Sequence, residues 1–66
     1  MVILHKFNGD EFVLNAYHIE SIEEKPDTTI TLVNEKKYLV KEKKDEVVNL
    51  VIEYYRKIYS RERGTE

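Results

Sequence analysis

Apolar and polar positions along this chain follow a strand period for most of its length and a helical period at its end. Residues 2–7, VILHKF, are short and rich in β-formers, and read as a strand. Asn8-Gly9 follows, a strong hairpin signal, because both central positions of a type I′ turn need positive φ. Residues 11–15, EFVLN, return. A two-residue loop would oppose Lys6 to Glu11, His5 to Phe12 and Ile3 to Leu14. One face then carries Ile3, His5, Phe7, Phe12 and Leu14, and the other Val2, Leu4, Lys6, Glu11 and Val13. Apolar residues on both faces predict that both are covered, and a single helix covers only one.

Residues 15–24, NAYHIESIEE, are ambiguous. Ile19 and Ile22 stand three apart, a helical spacing, yet Asn15 could open a turn through Ala16, Tyr17 and His18 with a strand from Ile19 to Glu24. KPDT at 25–28 is a turn, with Pro26 presetting φ at its second position. TTITLVN at 28–34 alternates Thr29, Thr31 and Val33 against Ile30 and Leu32, a half-buried strand. The next turn has two readings. A two-residue loop puts Glu35 at positive φ, an uncommon place for it, and opposes Leu32 to Lys37. A three-residue loop, 34–36, opposes Leu32 to Tyr38 and Ile30 to Val40 and gathers the apolar side chains on one face, which favours it. KYLVKE at 37–42 is the last strand.

From Lys44 the period becomes helical, with Asp45 as N-cap and no Gly or Pro up to Glu62. Val47, Val51, Tyr54 and Ile58 form one stripe, and Val48, Ile52, Tyr55 and Tyr59 the adjacent one, with Leu50 outside both. The fold class is therefore α+β: a small antiparallel β-sheet or partly open barrel of four to five strands with one C-terminal helix, in the order β-β-β-β-β-α. It forms a single domain over residues 1–62, and 63–66 make a frayed polar tail.

Composition sharpens this picture in three respects. A chain of 66 residues buries only ~60% of the surface it exposes when unfolded, and without cysteine it has no disulfide or thiolate metal site to help. Self-association is a common remedy at this size. The charge, −2 overall, is uneven: residues 1–33 hold two lysines against six acids, and residues 34–66 nine Lys or Arg against seven acids. No signal peptide and no membrane-spanning run is read, so a cytoplasmic protein is expected.

Candidate chemistry is sparse. His5 and His18 share no metal-binding or protease spacing, and Glu20, Glu23 and Glu24 beside His18 read as a solvated acidic edge. Ser21 and Ser60 lack a His-Asp arrangement, and Gly9 and Gly64 make no phosphate loop. No catalytic residue, cofactor or metal is assigned, and no enzyme activity is expected. Lys36, Lys37, Lys41, Lys43 and Lys44, with Tyr38 among them, are a candidate nucleic-acid surface. Acids at 35, 42, 45 and 46 interrupt it, and lysines on an edge strand also block sheet-to-sheet aggregation. A protein interface draws on more. Tyr55, Tyr59 and Arg56 are of the types enriched at interfaces, and Val2, Leu4 and Val13 form a surplus apolar hairpin face. These six are the candidate contact residues, with a second copy of the chain as the expected partner.

FNGDEFVLN, then IESIEEKPDTTITLVNEKKYLVKE, then EVVNLVIEYYRKI together resemble the FlbD family of flagellar proteins, whose members are also called swarming motility protein SwrD. The resemblance covers residues 1–60 and is specific as a whole-chain pattern, though no motif in it is a chemical fingerprint. It rests on Asn8, Gly9, Leu14, Asn15, Ile19, Glu20 and Ile22, on Pro26, Asp27, Thr28, Ile30, Thr31 and Leu32, and on Asn34, Lys37, Tyr38, Val40 and Glu42. Glu35 stands where the family pattern has glycine. The resemblance implies a bacterial cytoplasmic protein tied to motility and to the power of the flagellar motor; joined to the contact residues above, the expectation is a non-enzymatic module, cytoplasmic or peripheral at the flagellar base, that contacts a flagellar motor or stator protein. A nucleic-acid-binding regulator of flagellar gene expression is the alternative.

Overall fold

The computed structural model describes residues 1–64, with side chains through Tyr59. Its elements are β1 (Val2–His5), β2 (Glu11–Leu14), a 3-10 turn (Ala16–His18), β3 (Ile19–Glu24), β4 (Thr28–Leu32), β5 (Lys37–Val40) and α1 (Lys44–Gly64). The order and the α+β class are those expected, but the strands divide into two antiparallel sheets, β1-β2 and β3-β4-β5. The break falls at Asn15, whose side chain accepts the Tyr17 N–H and opens the 3-10 turn. One backbone bond joins the sheets, from the Lys41 N–H to the His5 carbonyl at 2.8 Å.

The first hairpin differs from its expected register by one residue. Val2 pairs with Leu14, Leu4 with Phe12 and His5 with Glu11. The loop has three residues, not two. The Gly9 N–H closes a turn on the Lys6 carbonyl, and the Lys6 N–H then bonds the Asp10 carbonyl, each at 2.9 Å, with Gly9 at φ 95°. A one-residue slip moves every side chain of a strand to the other face. Val2, Leu4, Phe12 and Leu14 thus share the inner face, and Ile3 and Val13 the outer one.

The second hairpin uses the same turn. The Glu35 N–H bonds the Leu32 carbonyl and the Leu32 N–H bonds the Lys36 carbonyl, both at 2.8 Å, with Glu35 at φ 74°. Its loop is residues 33–35, not 34–36, and Ile30 pairs with Tyr38, Thr28 with Val40. That register is shifted by two from the one expected. An even shift preserves the faces, so Ile30, Leu32, Tyr38 and Val40 gather on one side as anticipated. A bulge between Ile19 and Ser21 absorbs one residue of β3. This is why Ile19 and Ile22, three apart, both pack inward without being helical. Pro26 is the middle residue of the 25–27 connection between β3 and β4 and follows a cis peptide bond.

The helix starts one residue before the expected cap. The Val47 N–H bonds the Lys43 carbonyl, and the Lys43 N–H is taken by the Glu46 side chain, half of a capping box. Asp45 is therefore a helical residue of the first turn, where its charge suits the helix dipole. The free Lys44 N–H is accepted by Glu24 at the end of β3, at 2.9 Å, which ties the helix start to the sheet. The helix continues to Gly64, past the expected end at Glu62. Of the polar tail, Thr65 and Glu66 lie outside the described residues.

The core is Val2, Leu4, Leu14, Ala16, Ile30, Leu32, Val40 and Val47, drawn from both sheets, the 3-10 turn and the helix. Phe12, Ile19, Ile22, Tyr38, Val51 and Tyr54 pack around it. Leu4, Ile30, Val40 and Val47 are almost wholly enclosed. Full burial of side chains of this kind contributes about 1.5–3 kcal/mol each.

Candidate interaction surface

The slip in the first hairpin decides which residues are available for contact. Val2 and Leu4, expected on an exposed face, are 3% and 0% exposed and belong to the core. They cannot form a contact surface in this fold. Val13 is 57% exposed, and its cross-strand partner Ile3 is 51% exposed. Across a shallow groove from Ile3 runs the helix edge, with Leu50 and Glu53, and Met1 closes one end. Met1, Ile3, Val13 and Leu50 thus form an apolar surface whose rim is charged. The pairing Ile3–Val13 was hidden from the sequence by the wrong loop length. The signal that finds it is that only the observed register collects Val2, Leu4, Phe12 and Leu14 on one side.

At one end of this surface three charged groups converge. The His5 Nδ1 lies 2.6 Å from Glu42 Oε2, and the His5 backbone N–H donates to Glu42 Oε1 at 3.0 Å. The His5 Nε2 lies 3.5 Å from Glu11 Oε1. Glu42 sits between β5 and α1, so it clips that connection to β1. The side-chain hydrogen bond to Glu42 raises the His5 pKa above its ordinary value, against a partial desolvation, with the charges of Glu42 and Glu11 adding to the rise. Burial pushes the Glu42 carboxyl up, but the hydrogen bonds from the His5 ring and backbone together hold it below its ordinary value. Lys41 and Glu46 line the same depression. No metal-holding group of three or more ligands occurs among the described residues. The geometry is that of a structural clip.

The tyrosines form a second feature. Tyr17, from the 3-10 turn, meets Tyr54 and Tyr55 edge-on, with ring centres 6.0 and 5.5 Å apart. Tyr55 also stacks on Tyr59, at 6.4 Å and 21°. Of the candidate contact residues on the helix, Tyr59 is 56% exposed, Tyr55 half-buried, and Arg56 exposed and paired with Glu53. Tyr17 was not anticipated, because only the path of the 3-10 turn brings it to the helix.

The lysines are not gathered into one patch. Lys36 and Lys37 lie at the start of β5, and Lys41, Lys43 and Lys44 beyond its end. Four residues of extended chain separate the groups by roughly 13 Å. Tyr38, the aromatic among them, is turned inward against Phe12, with ring centres 5.3 Å apart. His18 is exposed. No helix among the described residues is long and apolar enough to cross a membrane.

Comparison with curated proteins and with solved structures returns no match. A family model described as flagellar and swarming motility proteins matches residues 1–59, nearly the whole of the described fold from β1 into the last turns of the helix. The chain belongs to the FlbD family, and its role is in flagellar and swarming motility.

Proposed function

We propose that the chain supports motility without chemistry of its own, as a contact module at or near the flagellar motor on its cytoplasmic side. It docks a motor or stator protein through the outer face of the first hairpin. The observation that carries this reading is the exposed cross-strand pair Ile3–Val13, flanked by Met1 and Leu50. Adjacent large apolar side chains left open on a domain with little core to spare are the mark of a contact site. The charged rim of Glu11, Glu53 and Lys57 then sets orientation and partner choice.

The test is made in cells lacking the gene, by counting flagella and recording rotation speed under load. Normal filament number with weak rotation supports action at the motor. Loss of filaments overturns it in favour of assembly or gene expression.

A further inference from the structure

One edge of β1 pairs with β2, and the bonds of His5 show what the other edge offers. The His5 N–H goes to Glu42 and its carbonyl receives the Lys41 N–H, so neither turns toward β2. His5 and Glu11 are therefore a non-hydrogen-bonded pair, and the two kinds of pair alternate along an antiparallel ladder. Ile3 and Val13, two residues on, are a pair of the same kind. The Ile3 N–H and carbonyl thus point away from β2, along the edge that His5 shares. They have no partner among the described residues. Unpaired groups on a strand edge are a template for a further strand.

That edge runs beside α1. Between them lies a groove lined by Ile3, Glu42, Glu46, Asn49, Leu50 and Glu53, which are three acids and no base. His5 partners Glu42, and Arg56 holds Glu53 in an exposed pair worth little. Glu46 accepts the Lys43 N–H and has no ion pair among the described residues. Lys57 enters only at the Met1 end, and Lys41 lies on the far side, in the depression beside His5.

We propose that this edge takes an extended segment of the docked protein, in which apolar and basic residues alternate, as a strand added to β1. Main-chain bonds to Ile3 hold it, and its alternate side chains read the two sides. One set lies beside Ile3 on the outer face, where apolar residues fit. The other set turns over the helix toward Glu46 and Glu53, where Lys or Arg fits. These carboxylates are seven positions apart, roughly 10 Å along the helix, while alternate side chains of a strand are about 7 Å apart. Long basic side chains absorb the difference. The Lys41 N–H already occupies the His5 carbonyl, so the added strand ends there. A docked helix would leave the Ile3 backbone groups unpaired, and an acidic segment would be repelled. Backbone and charge together therefore select the occupant, which rests on the hairpin face being the docking site.

The probe is a capped seven-residue peptide alternating lysine and valine, titrated into the full chain and followed by NMR. Saturable binding that slows solvent exchange of the Ile3 amide proton is expected. N-methylation of the peptide backbone, at the valines in one analogue and at the lysines in another, weakens binding by about tenfold or more in one of the two, because alternate residues turn their N–H to opposite edges. Glutamate in place of lysine weakens it by about tenfold or more. So does Glu46→Gln with Glu53→Gln, and circular dichroism stays unchanged because glutamine still accepts the Lys43 N–H. No saturable binding, an Ile3 amide that still exchanges fast, or indifference to methylation or to either charge change overturns the proposal. So does a chain that protects the Ile3 amide unaided while sedimenting at twice its mass of 7.9 kDa, which gives the edge to a second copy. Swarming separates this failure from failure of the face itself. Swarming lost in Ile3→Lys with Val13→Lys, together with no peptide binding, keeps the face and rejects the segment, whereas full swarming rejects both.

Discussion

Glu35 occupies in the second hairpin the left-handed position that Gly9 occupies in the first. Both end a three-residue loop, both donate their N–H to the residue three before, and both follow an asparagine, Asn34 or Asn8, whose side chain accepts the N–H two residues on. They differ in cost. Glycine adopts φ 95° freely, whereas glutamate at φ 74° crowds its Cβ against the backbone. Glu35→Gly therefore stabilises the fold by about 0.5–1 kcal/mol, as the relief of left-handed strain outweighs the greater freedom of an unfolded glycine. Thermal unfolding reads this as a rise of ~2–8 °C for a domain of this size. Gly9→Ala does the reverse by about 1 kcal/mol. A Cβ there meets nothing within 4 Å, so the loss is conformational alone. A fall in the midpoint for Glu35→Gly would contradict the strain argument.

The two turns also show where sequence reading succeeded and where it failed. Element order was legible from period and turn chemistry; residues 15–24 read both as a helical spacing and as a turn with a strand, and the division of the strands into two sheets was not read. Nor was the register of the first hairpin. Asn8-Gly9 is compatible with a two-residue turn and with a three-residue loop ending on glycine, and the dipeptide does not separate them. Burial separates them, since Val2, Leu4, Phe12 and Leu14 make one apolar face only in the observed pairing. Applied to the second hairpin, the same criterion found the correct face despite a loop displaced by one residue. The candidate surface inherited the error. Val2 and Leu4 were chosen as surface residues but are buried, and Ile3 lies on the outer face instead, beside Val13, which was placed there correctly. Tyr17 and Glu42 act through contacts distant in sequence, which no local pattern encodes.

Leu4 and Ile3 are adjacent in β1 and predict opposite outcomes. Leu4 is fully enclosed, and Leu4→Ala leaves a cavity that costs about 2–5 kcal/mol. Ordinary domains hold roughly 0.05–0.15 kcal/mol of stability per residue, so this is a large share of the total and can unfold the chain at moderate temperature. Ile3 is half open to solvent, and Ile3→Ala costs under about 1 kcal/mol. Urea unfolding of the two variants decides the register. Equal losses, or a greater loss at Ile3, would restore the two-residue loop.

The clip between His5 and Glu42 makes stability depend on pH in both directions. His5 has a raised pKa in the fold, so its contribution is complete below the ordinary value of 6.5 and disappears as pH rises through the higher folded value. Glu42 has a lowered pKa, so its contribution is complete above 4.5 and disappears as pH falls through the lower folded value. The charged pair thus supports the fold best between about pH 4.5 and 6.5. Urea midpoints measured from mildly acidic to mildly alkaline pH should fall on the alkaline side. In His5→Gln that alkaline fall is lost. A wild-type profile flat through neutrality, or one unchanged by His5→Gln, would show that the pair carries no pH dependence.

Contact at the hairpin face separates from folding at Ile3 and Val13. Both side chains point outward, so a charge in place of either stays in water and strains nothing in the core. Ile3→Lys with Val13→Lys should therefore leave the circular dichroism spectrum intact and the unfolding midpoint within a few degrees of the parent. Across a docked partner the same lysines would be desolvated without a counter-charge, a penalty of several kcal/mol that few interfaces of modest size withstand. Cells carrying the double variant should swarm as poorly as cells without the gene, with flagella in normal number. Full motility from a folded, normally abundant Ile3→Lys, Val13→Lys chain would mean that the hairpin face is idle, and contact would then have to be sought at the tyrosine cluster around Tyr17 and Tyr55.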